Sequence, residues 1–286
     1  MTTILITGAS RGIGRELVQR AVARGDTVFA CVRKQTDVQK WPASPNLNVL
    51  IMDVADSTSV TAAFAELDKR LNGAALNAVI NAAAIAPTGA VELTTVDEFH
   101  NTLNTNTLGS LRILQAAIPR LRGHGGRLIL VTSLWGRASG AMVGAYCASK
   151  HAVEAIADSA RRETMGMNVH ISLVEPGVVK TEMFSNQAAE TQGLIARMSP
   201  ADRTLYGVMY QRFIKLLGGA AGTAISASQA AAGIEKPLFA GRPKPRYRVG
   251  TDSKIVCSLN WLLPDRWMDG VMAASLNHKP LPPGKL

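Results

Sequence analysis

Tyr146 and Lys150 stand four residues apart in a stretch, residues 146–162, whose alanine-rich composition predicts a helix. Four residues make about one helical turn, so both side chains fall on one face. A phenol ordinarily releases its proton near pH ~10. A fixed ammonium beside it favours the phenolate and is expected to lower that pKa. Such a pair suits proton exchange near neutral pH, which general acid–base catalysis requires. Ser133 lies upstream, at the end of the apolar run Leu128-Ile-Leu-Val131. That run predicts a buried strand, and strand ends are where α/β sheets place their chemistry. Of the four tyrosines only Tyr146 has a lysine at +4. The spacing alone also fits an ordinary tyrosine on an amphipathic helix, so the elements around it must decide.

Those elements alternate. Residues 3–7 form a short apolar strand, followed by the turn Gly8-Ala-Ser10-Arg11-Gly12-Ile13-Gly14 and a helix over about 14–24. A glycine-rich turn between strand and helix lets backbone N–H groups approach a pyrophosphate, and the helix N-terminus favours its charge. Strand 27–32 ends at Arg33-Lys34, where an acidic residue would bind a ribose 2′-hydroxyl and an arginine suits a 2′-phosphate. Arg11 is a second candidate for that phosphate, although both arginines also read as solvated surface charges. Further strands are expected at 49–53, ending in Asp53, and at 78–81, 128–132 and 169–174. Ser57 or Ser59 is expected to cap a helix to about 71. Thr94 or Thr95 opens a helix through His100, and a longer helix carries Asn106 and runs to Leu121. The alternation predicts a doubly wound, three-layer Rossmann arrangement with a mostly parallel sheet covered on both faces.

After Thr181 the pattern reads as helices without strands, over 188–198 and 201–217, with Gly218-Gly219 and Gly222 marking a loop. Met183, Phe184, Met198, Met209 and Phe213 either line a pocket or form core. Ser226 or Ser228 caps a helix to about 239, residues 247–249 form a last strand, and residues 251–263 a helix stopped by Pro264. The tail over 280–284 reads as loose. The chain is thus expected to be one domain over 1–286, with a cofactor and catalytic core over 1–180, substrate-loop helices over 181–225 and C-terminal helices and tail over 226–286.

Composition narrows the function. The chain has 286 residues, 47% of them hydrophobic and 18% charged, as in a globular protein with a substantial core. A net charge of +10 raises nucleic acid or acidic lipid as partners. No basic stripe interleaved with aromatics accompanies it, so nucleic acid is not expected. Cys31, Cys147 and Cys257 are widely spaced, with no Cys/His cluster, so no metal is expected and reduced thiols fit. Cys147 is either a reactive thiol beside Tyr146 or a packing residue. The first strand starts almost at Met1 and no apolar run is long enough to span a bilayer, which together predict a cytoplasmic protein.

The collected residues resemble the short-chain dehydrogenase/reductase family over about the first 180 positions. The cofactor turn is Thr7-Gly8-Ala-Ser10-Arg11-Gly12-Ile13-Gly14. Asp53 and Val54 match the adenine-ring segment. Asn81-Ala82-Ala-Ala84 matches the family's Asn-Asn-Ala-Gly, with Ala82 in place of the second Asn and Ala84 in place of the Gly. Asn106, Ser133, Tyr146 and Lys150 match the catalytic tetrad, and Pro176-Gly177 with Val179 and Thr181 match the segment at the nicotinamide end. The last third, Pro245-Arg-Tyr-Arg-Val-Gly250-Thr-Asp252 with Leu263-Pro264-Asp265-Arg266, is similar to the branch of 17β-hydroxysteroid and retinol dehydrogenases.

The resemblance implies hydride exchange between nicotinamide and a ketone, aldehyde or secondary alcohol. Tyr146 would serve as acid or base, Lys150 would lower its pKa, Ser133 would bind the substrate oxygen, and Asn106, at a helix irregularity, would hold a water. With Arg11 and Arg33, NADP(H) is expected ahead of NAD(H). Leu134, Trp135, Met142, Met183 and Phe184 would form an apolar mouth for a hydrophobic substrate, though Trp135 and the methionines also suit a subunit contact. A homodimer or homotetramer is expected from the family. The alternatives are a non-catalytic NADP-binding regulator on this fold and an NAD-dependent alcohol dehydrogenase. A nucleotide-sugar epimerase is disfavoured by the glycine spacing.

Overall fold

The structure is a computed structural model and describes residues 1–276; the tail over 280–284 lies outside the described residues. The strands are β1 (Thr3–Thr7), β2 (Thr27–Val32), β3 (Leu47–Ile51), β4 (Ala78–Asn81), β5 (Gly126–Val131), β6 (Val169–Pro176), β7 (Val179–Lys180), β8 (Ile225–Ser226) and β9 (Arg246–Val249). Among the described residues seven of them make one sheet in the order β3-β2-β1-β4-β5-β6-β9, with every pairing parallel, and β7 and β8 make a separate pair. The order reverses at β1, which leaves a crevice outside the carboxyl ends of β1 and β4.

Successive strand residues point to opposite faces, and the core divides accordingly. Leu5, Leu128 and Leu130 pack into one apolar cluster, while Ile4, Ile6 and Ile129 pack into another. Helices cover both clusters, which completes the three layers. One face takes Phe64 and Leu67 of helix Ser57–Leu71, Ile113 and Leu114 of helix Gly109–Leu121, and Val153 of helix Gly144–Glu163. The other takes Leu17 and Val18 of helix Gly12–Ala23 and Ile234 of helix Ala227–Phe239.

Several expectations are corrected. Asp56, rather than Ser57 or Ser59, caps the helix Ser57–Leu71, accepting from Thr58 N at 2.9 Å and Ser59 N at 3.3 Å. A carboxylate has two acceptor oxygens for two orphan N–H groups, and the Ser59 hydroxyl instead accepts from Asp53 N at 2.9 Å. The region after Thr181 is not free of strands, because β7 pairs with β8. Its first helix starts earlier than expected, at Glu182, and runs to Arg197 behind a Thr181 cap. Gly218, Gly219 and Gly222 lie inside the helix Pro200–Thr223 rather than in a loop. Each glycine costs a helix about 1 kcal/mol, and packing of Tyr210, Phe213, Leu216 and Leu217 on the body of the protein outweighs that. A helix beyond Pro264, Asp265–Ser275, was not expected. Met268 is its buried anchor.

Candidate active site

The turn after β1 is shaped by close approach of backbone. Gly8 has φ +67°, and a Cβ there would lie 2.9 Å from the Ala83 backbone. A Cβ on Gly14 would lie 2.2 Å from Gly8 O. The helix Gly12–Ala23 opens behind Arg11 with no side chain capping it and no acidic residue in its first turn. Its free N–H groups and positive dipole end therefore face outward, a cradle that fits a pyrophosphate. Thr7, Gly8, Ser10, Gly12 and Ile13 lie on this turn, with Ile13 on the wall of the adjoining cavity.

β4 ends level with β1, and Thr7 pairs with Asn81 in register. The Thr7 hydroxyl donates to Asn81 Oδ1 at 2.5 Å and accepts from Ala82 N and Ala83 N, each at 3.2 Å. Asn81 Nδ2 donates to Ser110 Oγ at 3.0 Å. The buried Asn81 side chain thus holds the two strand ends together. Among the described residues Ala84 is not one of the non-glycine residues with positive φ, so alanine fits where the family has glycine. Toward the adenine end, Asp53 Oδ1 accepts from Ala55 N at 2.9 Å, and buried Val54 packs against Gly109.

Asn106 sits in a π-helical turn, Asn104–Leu108, between two α-helices, the irregularity the family resemblance implied. Its Nδ2 donates to Ile85 O at 2.8 Å and to Ser149 Oγ at 2.9 Å, and its Oδ1 accepts from Ile85 N at 2.9 Å. Both amide hydrogens are engaged, so the side chain clamps the chain after β4 to the helix carrying Tyr146.

Ser133 follows β5, and its Oγ accepts from Trp135 N at 3.2 Å. Tyr146 and Lys150 lie on the helix Gly144–Glu163, the catalytic helix below, and project toward Ser133. Lys150 Nζ donates to Val131 O at 3.0 Å and lies 5.7 Å from the Tyr146 ring centre. The electrostatics differ from the expectation. Burial pushes Tyr146 up to about 12, against the opposing effect of its hydrogen bond with Ser133. Burial pushes Lys150 down to about 8, against the opposing charge of Glu154. Desolvation disfavours the charged form of each group and outweighs the attraction that the i, i+4 spacing suggested. At neutral pH the site therefore holds a neutral phenol beside an ammonium.

A cavity of about 220 Å³ joins these groups to the helices after Thr181. Ser133, Trp135, Tyr146, Lys150, Met183 and Phe184 line it, together with Ala82, Pro176, Gly177, Val179 and Thr181 from the cofactor set. Leu134 and Met142, expected at the mouth, do not. Both are buried, and Met142 packs in the cluster with Cys147, Tyr210 and Phe213. Its φ of +71° turns the side chain into that core, while its carbonyl accepts from Gly89 N at 2.7 Å. Cys147 is buried, and burial pushes its thiol up, so it packs.

Arg11, in the glycine turn, and Arg33, after β2, are exposed, and Arg11 lies 3.7 Å from Glu182. Phe213, read from the sequence as pocket or core, lines the cavity; the sequence reading missed Leu216 and Leu217 of the same helix Pro200–Thr223, and Met272, Ser275 and Leu276 near the C-terminal end. No motif marks them. It also missed the work of Asp252, whose Oδ2 accepts from Val178 N at 2.6 Å and whose carboxylate occupies the place a Gly177 Cβ would need. Its signal was the Gly250-Thr-Asp252 segment.

Residues 2–192 match the family described as short chain dehydrogenase. The chain is 32% identical to human retinol dehydrogenase 5 over 283 residues, covering 94% of this chain and 87% of that one. It is 29% identical to the NADPH-dependent 3-dehydrocapnine reductase of Ornithobacterium rhinotracheale over 285 residues, covering 96% and 98%. Among solved structures, a short chain dehydrogenase from Burkholderia cenocepacia in complex with NADP gives a TM-score of 0.73 at 21% identity, covering 97% of this chain and 98% of that one. At that identity the likeness concerns the fold. The family match spans more than half the chain and agrees with the glycine turn, the parallel sheet and the convergence of Ser133, Tyr146 and Lys150: this chain belongs to the short-chain dehydrogenases, oxidoreductases that act on CH–OH groups with a nicotinamide cofactor.

Proposed function

We propose that this chain is an NADP(H)-dependent oxidoreductase for a hydrophobic ketone or aldehyde, or the matching secondary alcohol, with Tyr146 as general acid and base. The observation that carries the reading is the cavity. Ser133, Tyr146 and Lys150 meet in a space whose remaining lining is largely apolar, from Trp135 and Phe184 to Phe213 and Leu216. A carbonyl compound with an apolar body leaves no buried polar group unpaired there.

The nicotinamide, when bound, supplies or accepts the hydride. The cradle at Gly8–Gly14 would hold its pyrophosphate, and Pro176–Thr181 its nicotinamide end. In reduction, the Ser133 hydroxyl donates to the substrate oxygen where negative charge develops. Tyr146, held as a phenol at neutral pH, gives that oxygen its proton. Lys150, an ammonium below about pH 8, stabilises the tyrosinate left behind. In oxidation the proton travels the other way. Asn106 keeps the chain after β4 against the catalytic helix. The reading treats the chain as one domain, because β9 extends the sheet that β1 begins.

NADP(H) is preferred on Arg33, which follows β2 and has no acidic partner among the described residues, and on the relative named as NADPH-dependent. Arg11 favours a second reading, NAD(H), because it already faces Glu182. Titration of the protein with NADPH and with NADH, followed by nicotinamide fluorescence, separates them. Tighter NADPH binding is expected. Tighter NADH binding would make the arginines surface charges, and binding of neither would overturn the reading.

A further inference from the structure

Glu154 lies one turn beyond Lys150 on the catalytic helix and is 4% exposed. Its carboxylate is held from two sides. Oε1 accepts from the Thr132 hydroxyl at 2.7 Å, and Oε2 accepts from Arg246 Nε at 3.0 Å. Thr132 directly precedes Ser133. Lys150 in turn donates to the carbonyl of Val131, which directly precedes Thr132. Two side chains one turn apart on one helix therefore grip two successive residues of the strand end that carries Ser133.

The surroundings are charged on every side. Asp158, a further turn along the helix, accepts from Arg246 Nη2 at 2.8 Å. Glu175 of β6, fully buried, lies 3.3 Å from Arg246 Nε and 3.3 Å from Arg248 Nε, and its Oε1 has no hydrogen-bond partner. Arg137, after the turn Leu134–Gly136, adds positive charge near Glu175. Arg161 also donates to Asp158, at 3.1 Å. Three carboxylates thus face four guanidinium groups behind the sheet end, with Tyr146 and Lys150 on the cavity side. Glu154 is the member of this cluster that reaches both sides. An ion pair serving stability alone needs no bond to Thr132.

We propose that Glu154 is a positioning residue of the active site, fixing the Thr132–Ser133 strand end against the catalytic helix and presenting to Lys150 the negative charge that favours its ammonium form. The proposal rests on the reading of Lys150 as the partner of Tyr146. The midpoint test reads Lys150 without substrate, so absence of turnover in the wild-type chain would count against that reading and leave the charge role of Glu154 standing.

The full chain, labelled with ¹³C,¹⁵N-lysine, is titrated by NMR, with Lys150→Met assigning the Lys150 signal. The wild-type midpoint is expected at about 8. In Glu154→Gln it should fall by about one pH unit, as loss of a close opposite charge requires. In Arg246→Gln it should rise, because the Glu154 charge is then less neutralised. The two variants break the same ion pair, so a merely structural role moves both midpoints alike or neither, and either result overturns the proposal. Should Glu154→Gln fail to fold, the Arg246→Gln midpoint decides: upward supports, unmoved or downward overturns. Thr132→Val keeps the charge and removes the strand-end bond. It should slow turnover about tenfold with the Lys150 midpoint in place, and an unchanged rate would remove the positioning role.

Discussion

On one side of the cavity stand Ser133, Tyr146, Lys150 and the segment Pro176–Thr181, set by strand ends, one helix and a glycine turn. On the other stand Phe213, Leu216, Leu217, Met272 and Leu276, set by how late helices pack. The first side is held by specific bonds. Lys150 grips Val131, Asn106 grips Ile85 and Ser149, and Asp252 grips Val178. The second side is held by the apolar cluster around Tyr210 and Phe213, with the Tyr210 hydroxyl accepting from Ala90 N at 2.9 Å. A wall of directional bonds tolerates few changes, whereas an apolar wall can change shape as long as it stays packed. The proposed function accordingly gives chemistry to the first side and selectivity to the second.

Substitutions can break this contrast. Tyr146→Phe should lower turnover by roughly 10²–10⁴-fold, the range of a lost general acid, with NADPH affinity unchanged in fluorescence titration. Substantial remaining turnover would mean that the first side does not carry the chemistry. Gly14→Ala should weaken NADPH binding severely and cost about 1–3 kcal/mol in urea denaturation, because its Cβ would press on Gly8 O. Arg33→Ser should cost about tenfold in NADPH affinity and little in NADH affinity, consistent with one lost charge-assisted hydrogen bond. On the second side, Leu216→Ala should raise KM several-fold for an apolar ketone while cofactor affinity and kcat stay close to wild type. A fall in kcat as large as that of Tyr146→Phe would erase the distinction between the walls.

The smallest effect expected is on stability against pH. Lys150 keeps its proton to about pH 8 when folded and to 10.5 when unfolded. In that window the unfolded lysine binds more protons than the folded one, so its contribution to stability should rise with pH. Tyr146, raised by burial from 10 to about 12, acts oppositely above pH 10. The buried thiols Cys31, Cys147 and Cys257, also raised by burial, act against the lysine in the same range, so the lysine is read as the difference between wild type and Lys150→Met in urea denaturation at pH 8 and 9.5, a difference that should grow with pH.

Much of the first side was legible in the residue order. The glycine spacing, the i, i+4 pair and the alternation of strands with helices are local patterns, and local patterns fix backbone geometry within a few residues. The family resemblance added Asn106 and Asp53. The Thr95 and Ser226 caps also stand where expected, each as a full capping box. The second side was hardly legible. Phe213 was named as either pocket or core, and it lines the cavity. Met142 was read as mouth and is core, because its left-handed backbone aims it inward. Leu216 and Met272 are ordinary apolar residues whose neighbours come from elsewhere in the chain.

The sequence by itself determined the parallel sheet, the cofactor turn and the pairing of Tyr146 with Lys150, since each depends on residues close along the chain. Only the tertiary structure decided the protonation of that pair and the shape of the substrate wall. Proton affinity follows burial, and burial is made by segments as distant as Ser133 and the catalytic helix closing over one another. Glu154 shows the same division: its place one turn from Lys150 is written in the sequence, but its contacts with Thr132 and Arg246 exist only once β5, β9 and the catalytic helix have come together.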